Sequence, residues 1–459
     1  MRDRGVRAPQ ERLQSRIDPA EQLLFACAAA QAGGTVREAV DRALSEPGLD
    51  WAAAARMSLQ HGVAPLVAKS LSGFREDPRI PSDVAACFAR ILAANGFRNR
   101  ILFRETARLA QALEAANIPY LVLKGVGLAL TVYPDPALRS FADVDLLVRP
   151  EDLEAADQAA RGCGFRREDA GTSPVFHHSE HVAFCEEDIL TGTLAPEFDT
   201  RVSAETIARL GHRVPLEIHI GLFRLPSGAL RRVDMAPFWE RAQAVPLPDG
   251  TLMRVPSPEA MLVHLAAHAA GDVFGKLVFP VDMALLLQHY EADLDWQRVV
   301  DLADRYAVRR DLCRLVEFVA DYFGRETSVE PLPPSESRMI RMTQMTRMRT
   351  PLSVSSVKSV LSVIQTEKRE SAVTPASIFA AMRMDGRALV WQRWKRSQNV
   401  WERLLSLGQI LFPAPATMRR FYGVRSPLRI GLYYLLRPFH LAAHLARAGL
   451  SVRPVHDRR

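Results

Sequence analysis

Apolar residues recur three and four positions apart from residue 18 to about residue 116. "PAEQLLFACAAAQ" and "VREAVDRALSE" carry that spacing, which predicts helices. "DWAAAARMSLQHGVAPLVAKSLS" opens on Asp50, a residue suited to capping a helix N-terminus. "PSDVAACFARILAANGFRNRILFRETARLAQALEAAN" reads as one long helical stretch, with a break expected at Gly96. The period then changes. "IPYLVLKG" is a short β-rich run, "VGLALTVY" a short helix, and "PDPALRSFA" a loop broken by Pro134 and Pro136. "DVDLLV" predicts a second strand. "PEDLEAADQAARGCGF" has a proline and acids in its first turn and Gly164 at its end, the signals that start and stop a helix. "HVAFCEE" predicts a third strand and the alternating "PLEIHIGLF" a fourth, with an insertion or long loop over 186–213 between them.

Helical spacing returns at residue 257 in "SPEAMLVHLAAHAAG", "PVDMALLLQHYEA", "DWQRVVDLADRYAV" and "RRDLCRLVEFVADYFG". "VEPLPPSESR" then reads as a linker. The pattern divides the chain into a helical region (1–116), an α+β core (117–225), a second helical region (226–330) and a basic helical region (331–459). No internal repeat appears.

Composition adds little until it is divided by region. The 459 residues are 48% hydrophobic and 24% charged, ordinary for a soluble chain with a sizeable core. No apolar run is long enough to span a membrane, because "IGLYYLLRPFHLAAHLARAGL" is broken by Arg437, Pro438 and Arg447. The first residues lack the apolar segment of a secretory signal. Cys27, Cys87, Cys163, Cys185 and Cys313 form no CxxC pair and read as free thiols in a reducing cytoplasm. The net charge of +7 conceals an asymmetry: residues 331–459 hold 22 Lys and Arg against 6 Asp and Glu, and the rest of the chain is net acidic. In the basic region Trp391, Trp394 and Trp401 are interleaved with Arg393, Lys395, Arg396 and Arg403. That mixture suits three roles: packing on the acidic part, an anionic membrane surface with Tyr433, Tyr434 and Phe439 dipping in, or RNA.

The chemistry concentrates in "LKGVGLALTVYPDPALRSFADVDLLV". Asp143 and Asp145 stand two apart on a strand, so both point to one face. Two carboxylates that close repel each other unless a cation sits between them, and hard oxygen ligands suit Mg²⁺. Glu217 lies on a later alternating strand. With Leu216, Ile218 and Ile220 facing the core, Glu217 and His219 share the face of the aspartates. Lys124 and Gly125 form a strand-to-helix turn whose backbone N–H groups suit phosphate. Arg139 adds a positive charge within reach of a triphosphate or of the carboxylates. His264 and His268, at i and i+4, lack the glutamate of a metalloprotease motif, and with Asp272 and Asp282 they read as a helix packed on this face rather than as a metal phosphohydrolase site. "HHSEH" at 177–181 is a weak, compositional signal.

On Leu123-Lys124-Gly125, Tyr133-Pro134, Arg139, Asp143-Val144-Asp145-Leu146-Leu147-Val148, Gly164-Phe165 and Glu217-Ile218-His219, the chain resembles the uncharacterised nucleotidyltransferase family within the DNA polymerase β-like nucleotidyltransferase superfamily. The likeness covers roughly residues 20–300. It departs from the wider superfamily in writing the turn as Lys-Gly and the third acid as Glu. The resemblance implies an α+β fold with a mixed sheet flanked by helices. It also implies Mg²⁺-dependent transfer of a nucleoside monophosphate from an NTP such as ATP to an acceptor hydroxyl, with release of pyrophosphate. Asp143 and Asp145 would bind two ions and Glu217 one of them, with His219 behind them. Lys124, Gly125 and Arg139 would hold the triphosphate. The acceptor, whether a small molecule, a glycan precursor, a protein or an RNA, is left open. Two further expectations stand beside the enzyme: a nucleotide-binding module that has lost its chemistry, and a peripheral membrane or RNA adaptor acting through residues 331–459 at the inner face of the membrane.

Overall fold

The computed structural model describes residues 17–31, 36–167, 181–185, 214–223, 233–272, 274–290, 293–323 and 373–382. Among the described residues of the first region, helical spacing becomes helix: α1 (Pro19–Gln31), α2 (Val36–Leu44), α3 (Trp51–Gln60), α4 (Ala64–Leu71) and α5 (Ser82–Ala115). Asp50 caps α3 as its sequence position predicts, accepting from the Ala53 N–H at 2.9 Å.

The break expected at Gly96 does not occur. Helix α5 runs unbroken through it for 34 residues, about 50 Å at the ordinary rise. The glycine answers to packing instead: a Cβ there would lie 3.1 Å from the Cβ of Ala137 in the loop before β2. On either side of it, Asn95 and Asn99 reach that same loop.

The core follows. Strand β1 (Tyr120–Val122) turns directly into α6 (Lys124–Thr131), and a loop leads into β2 (Val144–Val148). Helix α7 (Leu153–Gly162), β3 (Arg166–Arg167), β4 (His181–Cys185) and β5 (Leu216–His219) complete a five-stranded sheet. Its order is β1-β2-β5-β4-β3, with β2 and β5 parallel and every other pair antiparallel. This is a mixed sheet with flanking helices, as the family resemblance implies.

Alternation divides the sheet's two faces. Tyr120, Val122, Val144, Leu146, Val148, Leu216 and Ile218 join one core beneath α5 and α7. Leu121, Leu123 and Leu147 join a larger core on the other face, built from the N-terminal helices and from α9 (Pro258–Gly271), α10 (Val278–Tyr290), α11 (Trp296–Arg305) and α12 (Arg309–Tyr322). Asp145 and Glu217 lie between these apolar positions and so point to the second face.

Sequence spacing does not reveal the short helix α8 (Ala236–Trp239) or the hairpin of β6 (Gln243–Pro246) and β7 (Leu252–Val255). The hairpin's signal is "PDG", which ends at Gly250 with φ of +86°. Met253 and Val255 bury beside β1, and Gln111 on α5 ties the turn down by donating to Thr251 Oγ1 at 2.8 Å. Helix α13 (Pro375–Met382) is the part of the basic region within the described residues. The Trp/Arg cluster, Tyr433, Tyr434, Phe439, the stretch 186–213 and all but the last residue of "HHSEH" lie outside them. Among the described residues, no helix is long and apolar enough to cross a membrane. Cys27 and Cys163 are buried free thiols, and Cys87 and Cys313 are free and half-buried.

Candidate active site

The parallel pairing of β2 with β5 creates the site. Its register places Asp145 directly beside Glu217 and Leu147 beside His219. Side chains at paired positions share a face, so two acids 72 residues apart in sequence become neighbours. One oxygen of Asp145, one of Glu217 and one ring nitrogen of His219 all lie within 4.8 Å of one another. His219 Nε2 is 2.9 Å from Asp145 Oδ1 and 3.6 Å from Glu217 Oε2. His219, expected behind the acids, thus lies within contact distance of both.

Lys124 supplies the positive charge. It is the first residue of α6, and the backbone carries it to the acids because the Leu123 N–H donates to the Asp145 carbonyl at 2.9 Å. Its Nζ lies 2.7 Å from Asp145 Oδ2, whose side chain has no exposure to solvent. Helix α6 has no side-chain cap, so the N–H groups of its first turn have no partner within the helix. Gly125 has the ring of Phe141 against it: a Cβ there would fall 3.1 Å from Cδ2. The glycine thus lets the segment before Asp143 close onto the helix start.

The electrostatics follow from this crowding. Burial works against the Asp145 carboxylate, but the charges of Lys124 and His219 outweigh it and hold its pKa well below the usual range. Asp143 and Glu217 move the other way: burial, then repulsion from Asp145, raises both. Burial opposes the Lys124 ammonium, yet Asp145, Asp143 and Glu217 together raise its pKa. One carboxylate is firmly ionised, and its two neighbours carry charge at a cost that a further cation would relieve.

Arg139 is held differently from what its place in the motif predicts. Its guanidinium forms a two-pronged pair with Asp282 on α10, with Nε at 3.0 Å from Oδ1 and Nη2 at 2.7 Å from Oδ2. The Tyr133 hydroxyl donates to the same Oδ1 at 2.7 Å. The Arg139 carbonyl accepts from both Asn95 at 3.0 Å and Asn99 at 2.9 Å, and these asparagines also hold the carbonyls of Ala137 and Pro136. The arginine's charge still reaches Asp143. Asp282, Asn95 and Asn99 belong to the site's framework; the sequence places Asp282 on a helix packed on this face but gives no sign of its partner Arg139 or of the two asparagines.

On α9 His264 is buried and His268 half-buried, both close enough to feel Lys124 and Asp145. Among the described residues they join no cluster with carboxylates that could hold an ion. Asp272 pairs with Lys276 at 3.7 Å, and Asp282 belongs to Arg139. Burial, then the charge of Lys124, pulls His264 down to about 3 and His268 well below its ordinary value. An imidazole that resists protonation when folded leaves the unfolded chain to bind protons first, so stability falls as pH drops from 6.5 toward about 3. His264→Gln should therefore flatten the acid limb, removing about 2 kcal/mol of the loss between about pH 7 and about pH 5. Urea unfolding at the two pH values checks this. The raised carboxylates of Asp143 and Glu217 act in the opposite sense in both proteins and cancel from the comparison.

The donor set fits a divalent cation. Asp145 Oδ2 is buried without an aligned hydrogen bond, its contact with Lys124 being ionic, and Glu217 extends to the 32% exposed edge of the cluster. No curated protein matches the chain. The model of the uncharacterised nucleotidyltransferase family matches residues 47–324. That span holds the whole main sheet, the Lys-Gly turn, Arg139 with its Asp282 partner and the acids facing α9, and the chain belongs to the uncharacterised nucleotidyltransferase family.

Proposed function

We propose that the chain is a magnesium-dependent nucleotidyltransferase with the core arrangement of the DNA polymerase β-like superfamily, taking a nucleoside triphosphate such as ATP and modifying an acceptor hydroxyl. The observation that carries this reading is the β2–β5 register, which sets Asp145 beside Glu217 with Lys124 at a helix start 2.7 Å away. Family membership supports the transfer chemistry.

In this reading the acceptor oxygen bonds to the α-phosphorus, the bond from that phosphorus to the β-phosphate bridging oxygen breaks, and pyrophosphate leaves with the electron pair. Bound magnesium would neutralise phosphate charge and lower the energy of the developing oxyanions. Asp143, Asp145 and Glu217 would hold it, with His219 fixing the Asp145 carboxylate by its 2.9 Å contact. The N–H groups of Lys124 and Gly125 at the start of α6 would take phosphate oxygens, favoured by the positive end of the helix dipole. Glu217 is the most exposed of the ion-paired acids in the cluster, so the acceptor approaches from its side and its proton leaves to solvent there. Arg139 would act on the triphosphate through its field, with its guanidinium held by Asp282.

Calorimetric titration of each of the four NTPs with Mg²⁺ tests the proposal, using wild type and the Asp143→Asn/Asp145→Asn double variant. Metal-dependent binding of one NTP to wild type, lost in the double variant with its helical signal intact, is the expected result. Absence of NTP binding to wild type would remove the catalytic reading.

A further inference from the structure

Among the described residues, one cation on the side of the acids forms no ion pair with a carboxylate. Arg139 is paired with Asp282 and Lys124 with Asp145. Arg98 lies on α5 between Asn95 and Asn99, one helical turn from the first and next to the second. Those two asparagines grip the loop that leads to Asp143. This puts the Arg98 stretch of α5 against that loop. Among the described residues, Arg98 forms no ion pair within 4 Å, and its buried Nε has no hydrogen-bond partner. The charge acting on it is that of Asp143. Burial works against its ionised form and the charge of Asp143 offsets that only in part, so the fold carries a cation without a contact partner on the side of the acids.

We propose that Arg98 is an anion-binding residue of this site, taking the β- and γ-phosphate oxygens of the nucleotide and then of the pyrophosphate that leaves. The inference rests on the nucleotidyl-transfer reading and adds a residue that the family motif does not mark. A triphosphate carries more charge than Lys124 and one helix start can match, and Arg139 already has a counter-ion. A guanidinium offers five donors in a fixed fork, which matches phosphate oxygens two at a time. Standing on α5, Arg98 approaches from a different element than Lys124 on α6. The two cations would then grip the polyphosphate from separate sides.

A half-buried cation whose buried Nε is left without a partner costs the free protein stability, and this separates the proposal from a structural role. The experiment titrates inorganic pyrophosphate with Mg²⁺ into the full chain, comparing wild type, Arg98→Met, Arg98→Lys and, as a control on the same helix, the exposed Arg104→Met. Thermal unfolding without ligand is read alongside. Arg98→Met should weaken pyrophosphate binding by about 10- to 100-fold, the range for losing charge-assisted hydrogen bonds. Arg98→Lys should recover part of it, and Arg104→Met should match wild type. The midpoint of Arg98→Met should equal or exceed that of wild type. Pyrophosphate binding by Arg98→Met as tight as wild type would overturn the inference and leave nucleotidyl transfer standing. A midpoint lowered by several degrees, or failure of both Arg98 variants to fold, would make the arginine structural and overturn it equally. A wild type that binds no pyrophosphate would remove both readings together.

Discussion

Asp282→Ala is expected to destabilise the protein by about 3–5 kcal/mol, the cost of leaving a buried charge without its partner. The side chains of Asp282 and Arg139 are 0% and 6% exposed, so water cannot replace the lost carboxylate. The Tyr133 hydroxyl loses its acceptor in the same step. A second substitution separates charge from packing. Arg139→Met with Asp282→Leu removes both ions, and it should recover most of the loss, because an apolar pair of similar volume is often as stable as a buried ion pair. Chemical unfolding of the single and double variants gives the comparison. Equal midpoints for Asp282→Ala and wild type would mean that the pair contributes nothing. Recovery of stability without recovery of nucleotide binding would assign Arg139 a part in the phosphate site as well.

The second large effect concerns Lys124→Met. Asp145 would then be a buried carboxylate beside Asp143 and Glu217 with only His219 to partner it, and the folded protein should lose about 3 kcal/mol. The loss should be recoverable by a divalent cation. A cation that binds the folded acids and not the unfolded chain adds about 2.7 kcal/mol at a hundredfold excess over its dissociation constant. Thermal unfolding of wild type and variant, with Mg²⁺ and with chelator, measures this directly. The variant should respond to Mg²⁺ more strongly than wild type, where Lys124 Nζ at 2.7 Å competes for the same oxygen. A variant insensitive to Mg²⁺, or as stable as wild type in chelator, would show that the acids do not form a cation site.

Much of this arrangement is legible in the sequence, for local reasons. A two-residue period marks β2 and β5, and that period alone puts Asp145 on the face opposite Val144 and Leu146. Glu217 between Leu216 and Ile218 follows the same rule, so the meeting of the two acids needed only that their strands be neighbours. Helix caps such as Asp50 are equally local. What stayed hidden depends on chain segments far apart. Nothing near Arg139 announces Asp282, 143 residues later, because an aspartate within an apolar helix looks the same whether it binds a metal or an arginine. Gly96 misleads for a related reason. Propensity reads it as a weak point, while its cause is Ala137 across the helix–loop contact. Arg98 is invisible because its significance lies in the pairing it lacks. The β6–β7 hairpin has only a short turn signal, and its strands alternate weakly outside the fold.

The tie between Arg139 and Asp282 also bears on how the chain acquires its shape during synthesis. The loop that delivers Asp143 is gripped from one side by Asn95 and Asn99, which emerge from the ribosome before it, and from the other by α10, which emerges well after. A nascent chain that has passed β2 but not yet reached Tyr290 holds a guanidinium with no counter-ion and a tyrosine with no acceptor. Asp145 and Glu217 can already be neighbours across β2 and β5, but the loop before Asp143 is only half anchored. The loop that delivers Asp143 thus gains its second anchor only when the second helical region arrives, and a chain interrupted before that point carries the motif without that contact.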